Sequence, residues 1–195
     1  MQGNPLPPGS FPGEVRGLPQ GLNESLKQEV LELPFFKNSG NLPRFLAHSA
    51  LIAALYALLV LAFAPLSFGP VQFRVAEALT LLPWLFPEAI PGLFIGCLVS
   101  NLFGGLGIVD MVFGSLATLL AAWLTSRMPN LFWAAFPPVL VNAFVVGGYL
   151  SFLLEVPLAA TILYVGLGEA GACFLLGVPL ATLLGRVMKD KGSRA

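Results

Sequence analysis

The chain has 195 residues, of which 56% are hydrophobic and only 10% are charged, and its mean hydropathy is +0.83. Because soluble globular proteins carry about 25% charged residues, this composition indicates an integral membrane protein. The formal net charge is zero, which argues against a nucleic-acid-binding protein, since such proteins present a basic surface.

Residues 1–43 differ from the rest of the chain in composition. They contain seven prolines and six glycines with balanced charges, which is typical of a flexible tail. No apolar run follows Met1, so we expect no secretory signal peptide. Within the tail, the stretch LNESLKQEVLEL places Leu22, Leu26, Val30 and Leu33 along one helical face, and we expect a short interfacial helix there.

The chain beyond this tail is almost entirely apolar, and six of its segments are candidates to cross a membrane. A helix needs about 20 apolar residues to do so, and fewer when polar residues lie near its ends. The candidates are residues 45–64, 74–88, 89–106, 108–127, 131–154 and 157–187. The sequence therefore predicts an all-α integral membrane protein, with a bundle of six transmembrane helices at residues 44–188 and a short cytoplasmic tail at residues 189–195.

Prolines and glycines shape two of these candidate spans. PEAIP joins the second to the third, and its two prolines favour a sharp turn. The sixth is too long for one straight crossing. We expect Gly166, Gly168 and Pro179 to bend it, or its first part to run along the outer surface.

The basic residues predict the orientation of the chain. Six crossings place both termini on one side, and nine of the ten basic residues fall on that side. Arg74 is the exception, and the nine are Arg16, Lys27, Lys37, Arg44, Arg127, Arg186, Lys189, Lys191 and Arg194. Because cytoplasmic loops are enriched in Lys and Arg, we expect a protein of the cell membrane with both termini in the cytoplasm.

Small residues recur at the intervals that let helices approach closely in lipid. Three faces show this pattern: Ala50, Ala53, Ala54 and Ala57 in the first candidate span, Gly92, Gly96, Ser100 and Gly104 in the third, and Gly177, Ala181 and Gly185 in the sixth. Packing within the chain explains most of them. The alanine face could instead dock a second protein, and both interpretations stay open.

Ionisable side chains within the candidate spans need a physical reason, because each costs roughly 2.5–3.5 kcal/mol on insertion. Arg74 and Glu77 are three residues apart, so on a helix they can form an ion pair. We expect Glu88 at the inner turn, beside water. We interpret Asp110 and Glu155 as helix-end residues in water.

Glu169, within GLGEAGACFLLG, is the strongest candidate for contact with a ligand. It lies deep in an apolar segment, and the flanking glycines allow close approach. Glu77 is a second candidate. Asn101, Asn142 and Tyr149 add hydrogen-bonding capacity, and the last two are seven residues apart and so share a helical face. Carboxylates and amides together suit a small polar ligand with several N–H donors, including a cationic one. The alternative for Glu169 is a structural hydrogen bond or a protonated carboxyl.

The sequence lacks the motifs of several other functions. It contains no GxxxxGK[ST] for binding ATP phosphates, and no HExxH, GxSxG or paired-cysteine motif. Cys97 and Cys173 are far apart in apolar runs, so we interpret them as packing residues. His48, the only histidine, is interpreted as an interfacial residue. We therefore expect no cofactor, metal or ATPase site, and a substrate-binding membrane subunit without its own motor.

Three stretches carry a resemblance to a known family: FGPVQFRVAEALTLLPWLFPEAIPGLFIGCLVSNLFGGLGIVDMVFGSLATLLAAWLT, VNAFVVGGYL and VGLGEAGACFLLGVPL. They resemble the queuosine-precursor transporter family, QueT. The resemblance covers about residues 45–188 and needs few gaps. Members of this family are similar to the substrate-binding S components of energy-coupling factor (ECF) transporters.

The resemblance implies an S-component-like bundle of six helices that captures a 7-deazaguanine, such as preQ0, preQ1 or queuine, at its outer face. It also implies that a transmembrane T subunit and two ATPase subunits drive import. The small-residue face at Ala50, Ala54 and Ala57 would then dock the T subunit.

The chemistry of such a ligand is compatible with the candidate residues. A guanine-like edge presents N–H donors that a carboxylate accepts in pairs, an aminomethyl group adds a cation, and ring faces stack on aromatic side chains. The substrate-binding residues that we expect are Phe73, Arg74, Glu77, Trp84, Asn101, Asn142, Tyr149 and Glu169.

Three other functions remain as alternatives. The chain could be an S component for another small vitamin-like substrate, or a stand-alone secondary carrier. The two halves show no convincing internal repeat, which many carriers have. A membrane enzyme or assembly factor that transfers protons through buried carboxylates is the third alternative, and the chain has no nucleophile–base pairing in its favour.

Overall fold

The structure, a computed structural model, describes residues 42–68 and 73–192. Within these ranges the chain forms helices and the turns between them, without a strand. The elements in chain order are α1 (Leu42–Ala62), α2 (Ala64–Ser67), a 3-10 helix (Val75–Trp84), α3 (Ala89–Leu102), α4 (Gly107–Val109), a first π-helical segment (Asp110–Gly114), α5 (Ser115–Thr125), α6 (Leu131–Ala134), α7 (Phe136–Leu154), α8 (Leu158–Ala170), a second π-helical segment (Gly171–Gly177) and α9 (Val178–Gly192).

Most of the predicted N-terminal tail, with its interfacial helix, lies outside the described residues. α1 begins at Leu42, three residues before the predicted start of the first span. At the other end, α9 continues to Gly192, into the segment predicted as a tail.

Four helical runs are long and apolar enough to cross a membrane: Leu42–Ala62, Gly107–Thr125, Leu131–Leu154 and Leu158–Lys189. Large apolar side chains cover the outside of these helices, and Phe152, for instance, is 86% exposed. Such an exposed apolar surface is typical of a protein that contacts lipid. The second and third predicted spans are shorter, at Val75–Trp84 and Ala89–Leu102. The all-helical fold is confirmed for the described residues, and six crossings stay a prediction.

The 3-10 helix is the central element of the bundle. All residues from Ala76 to Pro83 are buried, because α1, α3, α5, α9 and the second π-helical segment pack around it. A helix that is apolar on every side is typically a buried one. At about 2.0 Å per residue, its ten residues span roughly 20 Å, about 5 Å more than the same residues in an α-helix.

Phe68 lies at one end of the bundle, the Phe68 end, and Glu88 lies at the other, the Glu88 end. At the Phe68 end, the Phe68 ring packs against Gly104 and leaves no room for a Cβ on that glycine. At the Glu88 end, Ser49 Oγ donates to the Glu88 carbonyl oxygen at 2.8 Å. His48 also lies there, exposed, with its Nδ1 3.1 Å from Glu88 Oε1. The interfacial placement predicted for His48 is compatible with this exposure.

The last predicted span is one continuous helical run with a change of register. The chain stays helical from Leu158 through the second π-helical segment to Gly192. A bend at Gly166, Gly168 and Pro179 and a surface course for the first part of this run both stay predictions. Gly177, at the end of the π-helical segment, packs on the 3-10 helix, because a Cβ there would lie 3.0 Å from the Ala78 carbonyl oxygen.

The glycine face of α3 packs against α1. A Cβ on Gly92 would lie 2.7 Å from the Ser49 carbonyl oxygen, and one on Gly96 would lie 2.8 Å from that of Ala53. These approaches are closer than real Cβ atoms permit, so the two helices meet through their backbones. Ala53 is buried in this contact and therefore belongs to the interior side of α1.

Replacing Gly96 with Ala should destabilise the protein by about 1–3 kcal/mol, because the added methyl forces α1 and α3 apart. Gly148→Ala in α7 is the matched control, since nothing lies within 4 Å of its Cβ position. The control should be neutral or slightly stabilising. Thermal unfolding of the purified protein in detergent measures both, and equal stability of the two variants would contradict the packing described here.

Candidate functional site

Polar side chains from several elements converge around the start of the 3-10 helix. Seven of them are no more than 3% exposed: Tyr56, Arg74, Glu77, Asn101, Asp110, Asn142 and Glu169. Half-buried Tyr149 joins them. These eight residues form the polar cluster. Such groups are costly in a membrane protein, so their concentration in one place marks a candidate functional site.

One part of the polar cluster is built around Asp110. Arg74 Nη2 lies 3.7 Å from Asp110 Oδ1, and the Tyr149 hydroxyl donates to the same oxygen. Asn101 Nδ2 donates to the Asp110 carbonyl oxygen at 3.0 Å. The prediction that Asp110 lies in water is wrong, because the first π-helical segment turns this carboxylate inward, where it is 0% exposed.

The ion pair predicted between Arg74 and Glu77 is replaced by the pair with Asp110. Arg74 is the N-cap residue of the 3-10 helix and has extended backbone angles, φ −87° and ψ 102°. The i to i+3 spacing of a helix therefore does not apply to it. Its guanidinium lies 5.5 Å from the centre of the Phe68 ring, and its Nε lies 3.4 Å from the Ser67 carbonyl oxygen, toward the Phe68 end.

The other part of the polar cluster is built around Glu77. The Tyr56 hydroxyl donates to Glu77 Oε1. Cys173 Sγ lies 3.7 Å from the Glu77 carbonyl oxygen, which brings the helix that carries Glu169 against the 3-10 helix. Glu169 is buried there and interacts with the Asn142 side chain.

Gly114 makes room for the side chains around Asp110. A Cβ at this position would lie 2.9 Å from Asn101 Nδ2, 3.2 Å from Asp110 Oδ1 and 3.2 Å from the Tyr149 hydroxyl oxygen. Sequence reasoning missed Gly114, and it also missed Tyr56. The signal for Tyr56 was its spacing with the other buried residues on this side of α1, which are Phe45, Ser49, Ala53 and Val60.

Several polar atoms of the cluster have no hydrogen-bond partner among the described residues. The acceptor oxygens are Glu77 Oε2, Asn101 Oδ1, Asp110 Oδ2, Asn142 Oδ1 and Glu169 Oε2, and the donor is Arg74 Nη2. A buried polar group without a partner costs about 1–3 kcal/mol. Five acceptors against one donor therefore suit a ligand that brings several N–H groups.

Positive and negative groups are unequal in number within the polar cluster. It holds one guanidinium, on Arg74, and three carboxyl groups, on Glu77, Asp110 and Glu169. Within the ranges 42–68 and 73–192, no three His, Cys, Asp or Glu side chains are grouped to hold a metal ion.

The remaining predicted residues lie around the polar cluster or away from it. Phe73 borders it, since a Cβ on Gly171 would lie 2.8 Å from the Phe73 ring. Trp84 does not, because its Nε1 donates to the Met128 carbonyl oxygen at 3.1 Å near the Glu88 end. At about 2.0 Å per residue, it lies roughly 14 Å along the 3-10 helix from Glu77. Trp84 therefore lies outside the polar cluster, and its contact with a ligand ring stays a prediction.

The carboxyl and thiol groups outside the polar cluster follow the predictions more closely. Glu155 is exposed between α7 and α8, and the Glu88 side chain is 19% exposed beside His48. Both cysteines, Cys97 and Cys173, are free and buried, as expected of packing residues.

The predicted docking face on α1 is largely open. Ala50 and Ala54 are exposed and Ala57 is half-buried, whereas Ala53 packs inward against Gly96. Three of the four alanines are therefore available to a neighbour in the membrane, and the fourth is internal packing.

Comparison with known proteins identifies the family of the chain. The family model described as QueT transporter matches residues 46–186. The chain is 31% identical over 144 residues to the queuosine precursor transporter QueT of Lactococcus lactis subsp. cremoris strain MG1363, and the alignment covers 65% of this chain and 83% of that relative. No solved structure matches the chain. The resemblance seen in the sequence is thus confirmed, and the chain belongs to the QueT transporter family.

Proposed function

We propose that the chain is the substrate-binding membrane subunit of an ECF-type importer, and that its polar cluster captures a queuosine precursor. The family makes the chain a membrane transport protein rather than an enzyme. The named substrate of the Lactococcus lactis relative is a queuosine precursor. The observation that carries the proposal is the set of five acceptor oxygens that have no donor within the described part of the chain.

A 7-deazaguanine, such as preQ0, preQ1 or queuine, matches the atoms of the polar cluster. The guanine-like edge has an N1–H and an amino group side by side, which a carboxylate accepts as a pair of charge-assisted hydrogen bonds. The neighbouring carbonyl oxygen of the base needs a donor, and Arg74 Nη2 or an amide of the cluster supplies one. Phe73, which borders the cluster, and Tyr149, which belongs to it, offer ring faces for stacking.

The orientation follows from the ends of the bundle. Exposed Arg44, Arg127, Arg186 and Lys189 belong to segments at the Glu88 end, since Met128 contacts Trp84 and Gly185 faces Leu85. Basic residues favour the cytoplasmic side. The Phe68 end would then face outward in the cell membrane, with both termini in the cytoplasm. Arg74 and Asp110 would lie toward the outer entrance for substrate.

Energy for import would come from other subunits, a transmembrane T subunit and two ATPases. The sequence contains no motif for binding ATP phosphates. The open part of the alanine face on α1, formed by Ala50, Ala54 and Ala57, is the surface that we assign to docking of the T subunit, because small residues let helix backbones approach closely in lipid.

Replacing Ala54 with Leu should weaken assembly with the T subunit and leave substrate binding intact, because the added bulk separates the two helices. Ala159→Leu is the matched control, since Ala159 is also exposed but lies on α8. Co-purification with the T and ATPase subunits measures assembly. Equal recovery of both variants in the complex would show that α1 does not contact the T subunit.

Binding of defined ligands to the purified chain tests the function itself. We expect 7-deazaguanines to give saturable heats in isothermal titration calorimetry, and riboflavin and thiamine to give none. Binding of an unrelated vitamin in place of any deazaguanine would favour an S component of different specificity. Substrate uptake by proteoliposomes that contain only this chain would favour a stand-alone carrier.

A further inference from the structure

The polar cluster holds three buried carboxyl groups and a single guanidinium. Arg74 is paired with Asp110 at 3.7 Å. The other basic side chains that the structure describes are all exposed: Arg44, His48, Arg127, Arg186 and Lys189. Glu77 and Glu169 are 0% and 3% exposed, and neither forms an ion pair with a basic side chain of its own among the described residues.

The two carboxyl groups have different neighbours. Glu169 interacts with the Asn142 side-chain amide. The Glu169 carboxylate, which accepts hydrogen bonds, therefore lies beside an amide, which both donates and accepts them. That combination is complementary to the edge of guanine, which has two adjacent donors beside one acceptor. Glu77 has the Tyr56 hydroxyl at Oε1, and its Oε2 is buried without a partner.

We propose that Glu77 binds a positively charged amine attached to C7 of the deazaguanine, while Glu169 and Asn142 bind the opposite edge of the base. This inference rests on the proposed function, because it divides that same site between the two ends of one ligand. The C7 substituent projects away from the edge that carries N1 and the exocyclic amino group, so the two carboxyl groups contact different parts of the molecule. The site is thereby selective for precursors with an amine over precursors with a neutral nitrile.

Burial of an ammonium group is unfavourable unless a carboxylate compensates for its lost hydration. Glu77 meets this requirement, because it is fully buried and its free oxygen gains a charge-assisted hydrogen bond, which is about twice as strong as a neutral one. The amine also lowers the excess of negative charge in the polar cluster. Both partners thus gain from the contact, whereas an uncharged substituent would leave Glu77 as it is.

A pair of matched ligands tests this assignment. The ligands are 7-aminomethyl-7-deazaguanine and 7-ethyl-7-deazaguanine, which have nearly the same shape and differ in charge. Calorimetry on the full-length wild-type chain should show that the amine binds about 10- to 150-fold more tightly, the range expected for a hydrogen bond to a charged group. Glu77→Gln should abolish this preference, and its unfolding temperature in detergent, compared with that of the wild type, shows that the variant is folded. Glu169→Gln should weaken both ligands by the same factor and keep the preference.

Other results would overturn the inference. Equal affinities of the wild-type chain for the two ligands would show that the charge of the amine does not contribute to binding. This measurement requires no variant. Equal weakening of both ligands by Glu77→Gln would place Glu77 at the base edge or in the scaffold. In either case the proposed function would stand, because a deazaguanine still binds. Failure of the folded wild-type chain to bind either ligand would instead contradict the proposed function.

Discussion

Replacing Arg74 with Met is expected to lower the free energy of unfolding by about 3–5 kcal/mol, because it removes one partner of a buried ion pair. Asp110 is 0% exposed, and the described residues supply it with no second cation. The loss is a large fraction of the stability of a typical protein, which is about 5–15 kcal/mol. Thermal or denaturant unfolding in detergent, followed by circular dichroism, measures it.

A double variant and a surface control show whether the effect arises from the buried charge. Arg74→Met combined with Asp110→Asn should recover part of the lost stability, because the uncompensated carboxylate is then absent. Arg127 also interacts with an aromatic ring, at 3.9 Å from the centre of the Trp123 ring, but it is exposed. Arg127→Met should therefore cost about 1 kcal/mol at most. A double variant less stable than Arg74→Met alone would show that Asp110 does not need its counter-charge.

The apolar segments and the polar residues that interrupt them were predictable from the sequence. Hydropathy locates membrane helices because lipid leaves no other partner for the backbone. Glu169, Asn101 and Asn142 were predicted as site residues because a polar side chain in an apolar run needs a partner inside the bundle. The structure brings all three into the polar cluster, where Glu169 and Asn142 interact directly.

The partners within the cluster were less predictable, since they depend on local backbone geometry. The partner of Arg74 follows from its extended backbone at the start of the 3-10 helix, and a ten-residue 3-10 helix is itself rare. Asp110 follows a turn in the sequence, and for that reason it was predicted to lie at the surface. In the structure, the first π-helical segment places its side chain beside Tyr149. Gly114 is recognisable only from the side chains that surround it.

The alanine and glycine faces illustrate a second limit. Both have the spacing that permits close packing of helices, and the sequence alone does not distinguish an internal contact from an external one. In the structure, Gly92 and Gly96 contact the α1 backbone, while Ala50 and Ala54 on the same helix α1 are exposed. Which face is covered depends on how neighbouring helices are arranged, and that arrangement is a property of the whole bundle.

Replacing Glu169 with Gln is expected to weaken deazaguanine binding by about 5- to 150-fold, which corresponds to roughly 1–3 kcal/mol. Glutamine has nearly the same shape as glutamate, but one acceptor oxygen becomes an N–H donor. At the base edge this donor would face an N–H of the ligand, and neither group would find a partner. Because Glu169 Oε2 is buried without a hydrogen-bond partner within the described residues, the substitution removes no contact that this atom makes in the protein alone.

Calorimetry on the purified, folded variant measures this loss, with Glu155→Gln as the control for the change of side chain. Glu155 is exposed and outside the polar cluster, so the control should bind as the wild type does. The unfolding temperature of Glu169→Gln should also stay close to that of the wild type, which separates a lost ligand contact from a damaged fold. Wild-type affinity of Glu169→Gln for every deazaguanine tested would move Glu169 out of the binding site and into the scaffold. The remaining acceptors around Asp110, near Arg74 and Gly114, would then have to bind the edge of the base.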